Sequence, residues 1–235
     1  MKIALIGYGV MGRLIESIAV ERGHEISIKV DEPEAELSSD ELALKLEGAD
    51  AAIEFSVPNA VERNIEACMK AGVPLVEGTT GWNEKLDEMK ALVSEHEGGF
   101  VYGANFSIGV NLFYHVARKA SELFSKFDDY EVFIEEQHHS RKLDAPSGTA
   151  LKLKDLVSES YKDEFSVSST RAGNIPGTHR VGFDGTADQV LLEHTARSRE
   201  GFAAGAVMSA EWVKGKQGFW EFTEVIEEVI KSEQG

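Results

Sequence analysis

Five short apolar runs alternate with segments of helical period over the first 106 residues, and this alternation constrains the fold more than any other feature. Between the runs, apolar residues recur every three or four positions, as Val61, Ile65 and Cys68 do. Strands that alternate with helices form parallel sheets joined by crossover helices. The sequence therefore predicts an open α/β sheet, with strands in IALIG (3–7), EISIKVD (25–31), AAIEFSV (51–57), PLVEGTT (74–80) and FVYGANF (100–106).

The pattern changes after Ser107 and predicts a second, α+β unit. A helix carrying Phe113, Val116, Ala120 and Phe124 leads into the strand candidate YEVFIEEQHH. Three more strand candidates follow, SVSSTRAG, HRVGFDG and DQVLLEHTARS, with one helix from about 147 to 161. The stretch from about 201 to the end is predicted to be helical and to pack on the first unit. We thus expect one domain from 1–106 with 208–235, and another from 107–207.

Composition excludes several classes of function. The chain has 41 acidic and 24 basic side chains and a formal net charge of -17, which argues against nucleic acid or an anionic membrane as a partner. The single cysteine, Cys68, cannot form an internal disulfide and has the spacing of a buried helix position. Neither a secretory signal nor a membrane-spanning run is recognisable, so we expect a cytoplasmic protein. The acidic run 31–41 is predicted to be a solvated loop.

A glycine-rich turn between the first strand and the first helix carries the first chemical signal. The turn has the spacing G-x-G-x-x-G and runs through Gly7, Tyr8, Gly9, Val10, Met11 and Gly12. In this context the glycines let a pyrophosphate approach the free N–H groups of the helix start, as in Rossmann-type dinucleotide-binding domains. Asp31, at the end of the second strand, can bind a ribose diol, which favours NADH, while Lys29 keeps NADPH possible. The alternative is a plain glycine turn and a surface aspartate.

Two further turns follow the fourth and fifth strands. In an open parallel sheet the carboxyl ends of the strands border the ligand crevice. Small residues in these turns would let a flat nicotinamide ring approach the backbone, although both could be ordinary turns. The candidate cofactor-binding residues here are Gly78, Thr79, Thr80, Gly103, Ala104, Asn105 and Phe106.

The segment EEQHHSRKLDAPSGTALKL (135–153) concentrates polar chemistry. On a strand, His138 and His139 point to opposite faces, which argues against a metal site built on the pair, and we expect no metal. Lys142 lies in the loop that follows. Ser147, Gly148 and Thr149 then begin a helix, whose free N–H groups and hydroxyls could hold an anion. A capped helix after a polar loop is the alternative, but it leaves both histidines and Lys142 unexplained.

These residues resemble the 4-hydroxy-tetrahydrodipicolinate reductase (dihydrodipicolinate reductase) family. The signature E-x-H-H-x-x-K-x-D-A-P-S-G-T-A is intact from Glu136 to Ala150. The glycine turn, GTTG, ANFSIGVN and RAGNIPGTHRVGF (171–183) follow the family's order, and the likeness spans most of the chain. The chain is similar to a short member of this family.

The resemblance implies hydride transfer from NADH or NADPH to a cyclic imine dicarboxylate in diaminopimelate and lysine biosynthesis, followed by protonation of the neighbouring carbon. It implies that His138 is a proton donor or acceptor and Lys142 the proton donor. It further implies that His139, Gly148 and Thr149 hold the substrate carboxylates, and that the protein is a homotetramer built through the second unit's sheet. Anionic ligands need a local positive region on so acidic a protein, for which we consider His139, Arg141, Lys142, Arg171, His179 and Arg180.

Two other functions remain open at the level of sequence. One is another two-domain NAD(P)-dependent amino-acid or semialdehyde dehydrogenase, which would not need the H-H-x-x-K and P-S-G-T elements together. The other is a dinucleotide-sensing protein without turnover, which would be expected to carry damage in the 136–150 signature. That signature is undamaged.

Overall fold

The computed structural model describes residues 1–31, 34 and 36–232, and it divides into two compact units. The first comprises Met1–Ile108 and the segment from Arg199 onward, and the second comprises Gly109–Ser198. The chain therefore returns to the first unit at Arg199, earlier than the expected residue 208. The physical reason is that the helix Glu200–Val213 packs along its whole length on the first unit's core.

A six-stranded parallel sheet forms the centre of the first unit. Its spatial order is β10-β5-β4-β3-β1-β2, and every neighbouring pair is parallel. The carboxyl ends of all six strands therefore lie along one edge of the sheet, where ligands bind in folds of this class. The strands are β1 (Lys2–Ile6), β2 (Glu25–Val30), β3 (Ala51–Glu54), β4 (Leu75–Glu77), β5 (Gly99–Tyr102) and β10 (Gly218–Glu221).

Helices cover both faces of this sheet. One face packs against α1 (Val10–Glu21), α7 (Glu200–Val213) and α8 (Phe222–Ser232). The other packs against α2 (Ser39–Leu46), α3 (Val61–Lys70) and α4 (Leu86–Glu95). Cys68 is fully buried in α3, as its spacing predicted. The predicted α/β class, with a Rossmann-like first unit, is confirmed.

The second unit is built on a four-stranded mixed sheet of order β7-β6-β8-β9. Strand β6 (Glu131–His138) pairs in parallel with β7 (Ser166–Arg171), while β8 (Thr178–Asp184) pairs antiparallel with β6 and with β9 (Gln189–Thr195). One face packs against α5 (Ile108–Phe124) and α6 (Gly148–Ser158) through Val132, Ile134, Val181 and Phe183. Period-two burial along β6 therefore turns Glu136 toward the helices as well.

Two elements differ from the sequence-based expectation. The final stretch is not helical throughout, because Gly218–Glu221 forms β10 and pairs with β5 at the sheet edge. The acidic run 31–41 is not entirely loop, because a capping box between Ser38 and Glu41 starts α2. Residues 32, 33 and 35 of that run lie outside the described residues.

Within the described ranges, none of the helices combines the length and the apolar character needed to cross a bilayer.

Candidate functional site

Glu136 is the centre of a hydrogen-bonded cluster in the second unit. Its Oε2 lies 2.5 Å from Nδ1 of His138 and its Oε1 lies 2.6 Å from Nη2 of Arg171. Arg171 also donates from Nη1 to Oε2 at 2.9 Å, and the backbone N–H of Ser147 donates to Oε1 at 3.3 Å. Ser147 Oγ lies 3.0 Å from Nε2 of His179. Three elements, β6, β7 and the start of α6, thus converge on one carboxylate, and β8 joins the cluster through the contact of His179 with Ser147.

These contacts set the charges in the cluster. Burial would raise the pKa of Glu136, but hydrogen bonds from Arg171, Ser169 and His138 outweigh it and lower the pKa to about 2. Burial lowers the pKa of His138, although Glu136 opposes that change. Burial lowers the pKa of His179 to about 4, so this ring is neutral at neutral pH. The cluster therefore holds a charged carboxylate, a charged guanidinium and two imidazoles that burial drives toward the neutral form.

Gly177 makes room for the catalytic candidate His138. A Cβ built on Gly177 would lie 3.2 Å from Nε2 of His138, and the backbone φ of Gly177 is +129°. Only glycine adopts that conformation without strain. Since Nδ1 of His138 is bound to Glu136, Nε2 is the ring atom left to face a ligand.

The N-terminus of α6 has the form that the sequence predicted for an anion site. Ser147 is the N-cap, and its Oγ accepts from the N–H of Ala150 at 3.3 Å. Ser147 is buried and its hydroxyl is used within the protein, so it acts as a cap more than as a ligand donor. Gly148 is exposed, and no atom lies within 4 Å of a Cβ built on it. Open space therefore borders the first turn of the helix, next to half-buried Thr149.

Lys142 and His139 lie together in the turn after β6. The N–H of Lys142 donates to the carbonyl of His139 at 3.1 Å, and its Nζ lies 2.8 Å from Oδ1 of Asp144. The hydrogen bond from Lys142 lowers the pKa of Asp144. Within the described part of the chain, Nδ1 of His139 is buried without a hydrogen-bond partner. Both side chains thus keep hydrogen-bonding capacity for a ligand.

Glu136, His138 and His179 also have the donor types of a metal site. Their ligand atoms lie within 4.8 Å of one another. Sequence reasoning considered only the adjacent histidines and did not foresee His179. Both oxygens of Glu136 already accept from Arg171, which a cation would have to displace, so we interpret the group as a hydrogen-bonded cluster. The absence of a metal stays a prediction.

The glycine turn of the first unit has the geometry of a phosphate cradle. Gly7 has φ +88°, and a Cβ on it would lie 2.2 Å from the carbonyl oxygen of Phe55. A Cβ on Gly12 would lie 2.2 Å from the carbonyl oxygen of Gly7. In contrast, a Cβ on Gly9 would meet nothing within 4 Å, and Gly9 caps α1 without a side-chain hydrogen bond. The turn therefore borders open space with free N–H groups, which fits a dinucleotide pyrophosphate.

The end of β2 carries the residues expected at the adenosine ribose. Asp31 is exposed directly after the strand. Nζ of Lys29 lies 2.6 Å from Glu16 and 2.9 Å from the hydroxyl of Tyr8. Lys29 and Arg13 both lie against the Tyr8 ring. The cation that kept NADPH possible is therefore engaged by a carboxylate, while Asp31 is accessible.

The two other predicted turns also lie at this edge of the sheet. A Cβ on Gly78 would lie 2.2 Å from the ring of Phe55, and that ring contacts the ring of Phe106 with centroids 5.9 Å apart. Phe106 is buried, Ala104 is exposed, and Oδ1 of Asn105 accepts from the N–H of Ser107. The first unit thus brings the glycine turn, 78–80 and 103–106 together around Phe55, a residue that sequence reasoning did not single out.

Sequence reasoning also missed residues of the second unit. Glu136 belongs to the 136–150 signature, but it was not named as a site residue. Arg171 was considered only as a possible steering charge, yet its side chain is 17% exposed and it bridges Glu136 and the carbonyl of Asp144. Arg180 pairs with Glu135 and Glu193 instead, on the other face of the sheet.

Two family models match the chain. The family described as "Dihydrodipicolinate reductase, N-terminus" matches residues 1–106, and that described as "Dihydrodipicolinate reductase, C-terminus" matches residues 109–226. Together they cover nearly all of the sequence.

Individual relatives and solved structures agree with the family match. The chain is 38% identical to the 4-hydroxy-tetrahydrodipicolinate reductase of Christiangramia forsetii, covering 99% of this chain and 100% of the relative. It is 36% identical to that of Staphylococcus haemolyticus, covering 94% and 99%. Its fold is similar to the dipicolinate-bound dihydrodipicolinate reductase from Paenisporosarcina sp. TG-14, with a TM-score of 0.80, 21% identity and coverage of 96% and 99%.

Proposed function

Because the chain belongs to the dihydrodipicolinate reductase family and is an NAD(P)H-dependent 4-hydroxy-tetrahydrodipicolinate reductase, we propose the following roles for its two units and for its site residues. The first unit holds the dinucleotide, and the second holds the cyclic dicarboxylate. His138 and Lys142 handle the proton that follows hydride transfer. The observation that carries the proposal is the intact 136–150 signature, in which Glu136 orients His138 at 2.5 Å.

The nicotinamide cofactor supplies the hydride, and the protein's own groups must manage charge at the substrate. Lys142, which is ion-paired to Asp144, is the proton donor to the carbon next to the reduced position. His138 exchanges protons through Nε2, because Glu136 holds Nδ1. A positioned acid of this kind acts mainly as charge develops in the transition state.

The substrate carboxylates bind at the start of α6. Gly148 and Thr149 offer backbone donors at the positive end of the helix dipole, and His139 has an unused buried ring nitrogen among the described residues. Ser147 serves this site indirectly, because its hydroxyl caps the helix and contacts His179. Charge-assisted hydrogen bonds of this type fix a dianion in one orientation.

The dinucleotide lies along the carboxyl edge of the first sheet, with its pyrophosphate at Gly7 to Gly12 and its nicotinamide end near 78–80 and 103–106. Asp31 binds the adenosine ribose, and NADH is the preferred cofactor because Lys29 is occupied by Glu16. Asp31→Ala should raise the Michaelis constant for NADH much more than that for NADPH. Equal losses for both cofactors would remove Asp31 from the ribose site.

The direct test is Lys142→Ala, assayed at the nicotinamide absorbance with freshly prepared cyclic substrate. Turnover should fall by roughly a hundredfold or more, while NADH affinity measured by fluorescence survives. Arg141→Ala is the matched control, because Arg141 is an exposed cation of the same loop that contacts Asn174. Its loss should raise the substrate's Michaelis constant in a salt-dependent way and leave turnover near normal. Near-normal turnover of Lys142→Ala would end the proton-donor assignment.

We propose that the outer face of the second sheet mediates assembly into a homotetramer. Phe133, Gly182 and Leu191 are register neighbours across β6, β8 and β9, and Phe133 lies over Gly182 on the face away from α5 and α6. Leu191 is 50% exposed. Burial of this row between copies would cover apolar surface. Phe133→Glu should lower the oligomeric state seen by light scattering. We also propose a cytoplasmic location, where nicotinamide cofactors are available.

A further inference from the structure

Two glutamates are buried side by side in the first unit, where the reaction gives them no role. Glu54 ends β3 and Glu77 ends β4, and the two are register partners on neighbouring strands. Both are 0% exposed. They lie on the sheet face that packs against α3, directly below the 78–80 turn. Two buried carboxylates cannot both be ionised at low cost, so the pair holds a proton.

Glu54 has the hydrogen bonds that stabilise a carboxylate. Its Oε1 accepts from the N–H and the hydroxyl of Ser56 and, at 3.1 Å, from the side-chain amide of Asn64. Its Oε2 accepts from Oγ1 of Thr79 at 2.6 Å. Both oxygens of Glu54 thus accept hydrogen bonds from donors, which is the environment that stabilises a carboxylate.

Glu77 has the opposite environment. Its Oε1 accepts from the N–H of Thr79 at 2.8 Å. Across the described part of the chain, its Oε2 is buried with no hydrogen-bond partner. Burial, and then the charge of Glu54, raise the pKa of Glu77 well above its usual range. Glu77 is therefore suited to be the neutral acid of the pair.

The two acids meet at Thr79, which links them to the turn. Its hydroxyl donates to Glu54 and its backbone N–H donates to Glu77. The hydroxyl oxygen also accepts from the N–H of Ser56 at 2.9 Å, and the backbone carbonyl of Thr79 accepts from Nε1 of Trp82 at 2.8 Å. All polar atoms of Thr79 thus bond within the protein. The predicted role of Thr79 as a cofactor ligand is better filled by its neighbours Gly78 and Thr80, whose positions Thr79 fixes.

We propose that Glu77 is a positioning residue for the cofactor turn: as a neutral acid beside charged Glu54, it holds Thr79 and thereby keeps 78–80 in the shape that binds NADH. The inference rests on the proposed role of 78–80 in dinucleotide binding. Ionisation of Glu77 would place two like charges together without solvent, push the strands' ends apart and release the turn. NADH affinity should therefore fall at alkaline pH.

The other titratable or charged groups around the pair are not placed to change the shape of the turn. Burial raises the pKa of the Cys68 thiol in α3 far above its usual range, and burial also raises the pKa of Tyr102 on β5. Arg63, also in α3, donates to the side-chain oxygen of Asn64 at 2.8 Å and, among the residues that the structure describes, makes no contact with Thr79 that would let it act on the turn. Of these groups, Glu77 is the one that contacts Thr79, so a change in its charge can act on the turn.

The test compares the NADH dissociation constant, measured by fluorescence, at neutral pH and at roughly pH 9.5. In the wild type the constant should rise roughly tenfold between the two. Glu77→Gln keeps the size and both hydrogen-bonding functions but cannot ionise. The ratio of its NADH dissociation constants at the two pH values should therefore approach one. Glu84→Gln, an exposed glutamate in the turn before α4, is the matched control and should keep the wild-type ratio. Circular dichroism at both pH values verifies that each protein is folded.

A second variant keeps the proposal testable if Glu77→Gln does not fold. Thr79→Val removes the hydroxyl that joins the turn to Glu54 and should raise the NADH dissociation constant at neutral pH roughly tenfold. Thr186→Val, at an exposed position in the turn after β8, is its control.

The outcomes separate this inference from the proposed function. If the wild type does not bind NADH or NADPH at neutral pH, the proposed cofactor site is wrong. If it binds NADH but its pH ratio is near one, or if Glu77→Gln keeps the wild-type ratio, the positioning role of Glu77 is overturned while the cofactor site stands. An unchanged dissociation constant in Thr79→Val would overturn the premise that the acid pair holds the turn through Thr79, and the proposal with it.

Discussion

Glu136 in the second unit and Glu77 in the first are the same side chain at nearly the same burial, 1% and 0% exposed, yet their environments drive them to opposite charge states. Glu136 receives two hydrogen bonds from Arg171 and one contact from His138, and its pKa falls to about 2. Glu77 faces another acid and one backbone N–H, and its pKa rises. The partners of a buried carboxyl, more than its burial, decide its charge.

The difference matches the work we propose for each unit. A charged carboxylate bound to a histidine fixes the ring's tautomer and leaves one nitrogen for proton exchange. A neutral acid beside a charged one can hold a turn without adding a second negative charge near an anionic dinucleotide. On these proposals, the same residue type serves chemistry in one unit and positioning in the other.

The largest expected effect comes from Glu136→Gln. This change leaves the mostly buried guanidinium of Arg171 without its counter-charge, so the free energy of unfolding should fall by about 3 kcal/mol. Glu135→Gln is the matched control from the same strand, because Glu135 faces the other side and pairs with Arg180 at 3.5 Å. It should cost less than about 0.5 kcal/mol. Urea unfolding of both variants measures the difference, and equal costs would contradict the charged state of Glu136.

The acid dependence of stability tests the same carboxylate without removing it. The pKa of Glu136 is lower in the folded protein than its usual 4.5, so its contribution is present above about pH 4.5 and lost as pH falls toward 2. Between roughly pH 5 and pH 3 the wild type should lose about 2 kcal/mol more than Glu136→Gln. Parallel curves for the two proteins in this window would show that Glu136 is not a carboxylate held by Arg171.

The smallest expected effect, with the opposite sign, comes from Glu77→Gln. The pKa of Glu77 is raised on folding, so its contribution is lost as pH rises above 4.5 toward the folded value. The variant should therefore be more stable than the wild type at mildly alkaline pH, by on the order of 1 kcal/mol, and the gap should close in mild acid. Thermal unfolding across this range measures the gap. A variant that is less stable at alkaline pH would contradict a buried neutral acid.

Local pattern predicted much of the fold and part of the site. Alternating apolar runs located β1 to β5, and spacing placed Cys68 in the buried face of α3. The glycine turn and the 136–150 signature were recognisable because their chemistry lies in consecutive residues. The structure then shows that Glu136 shares the buried face of β6 with Val132 and Ile134.

The rest of the fold and of the site depends on contacts between residues that are distant in sequence. Strand β10 is four residues long and exists because it pairs with β5, which no local pattern reveals. Arg171 of β7 reaches Glu136, and His179 of β8 reaches Ser147, only when the sheet forms. The pairing of Glu54 with Glu77 depends on strand register, and two acids inside apolar runs gave no signal on their own.

The central claim, that the two buried glutamates carry opposite charge states at neutral pH, is tested most directly by infrared difference spectroscopy. The spectrum of the wild type minus Glu77→Gln should contain the C=O stretch of a protonated carboxyl. The spectrum of the wild type minus Glu136→Gln should contain only the paired stretches of a carboxylate. A protonated-carboxyl band that disappears with Glu136, or a pure carboxylate signal from Glu77, would contradict the account.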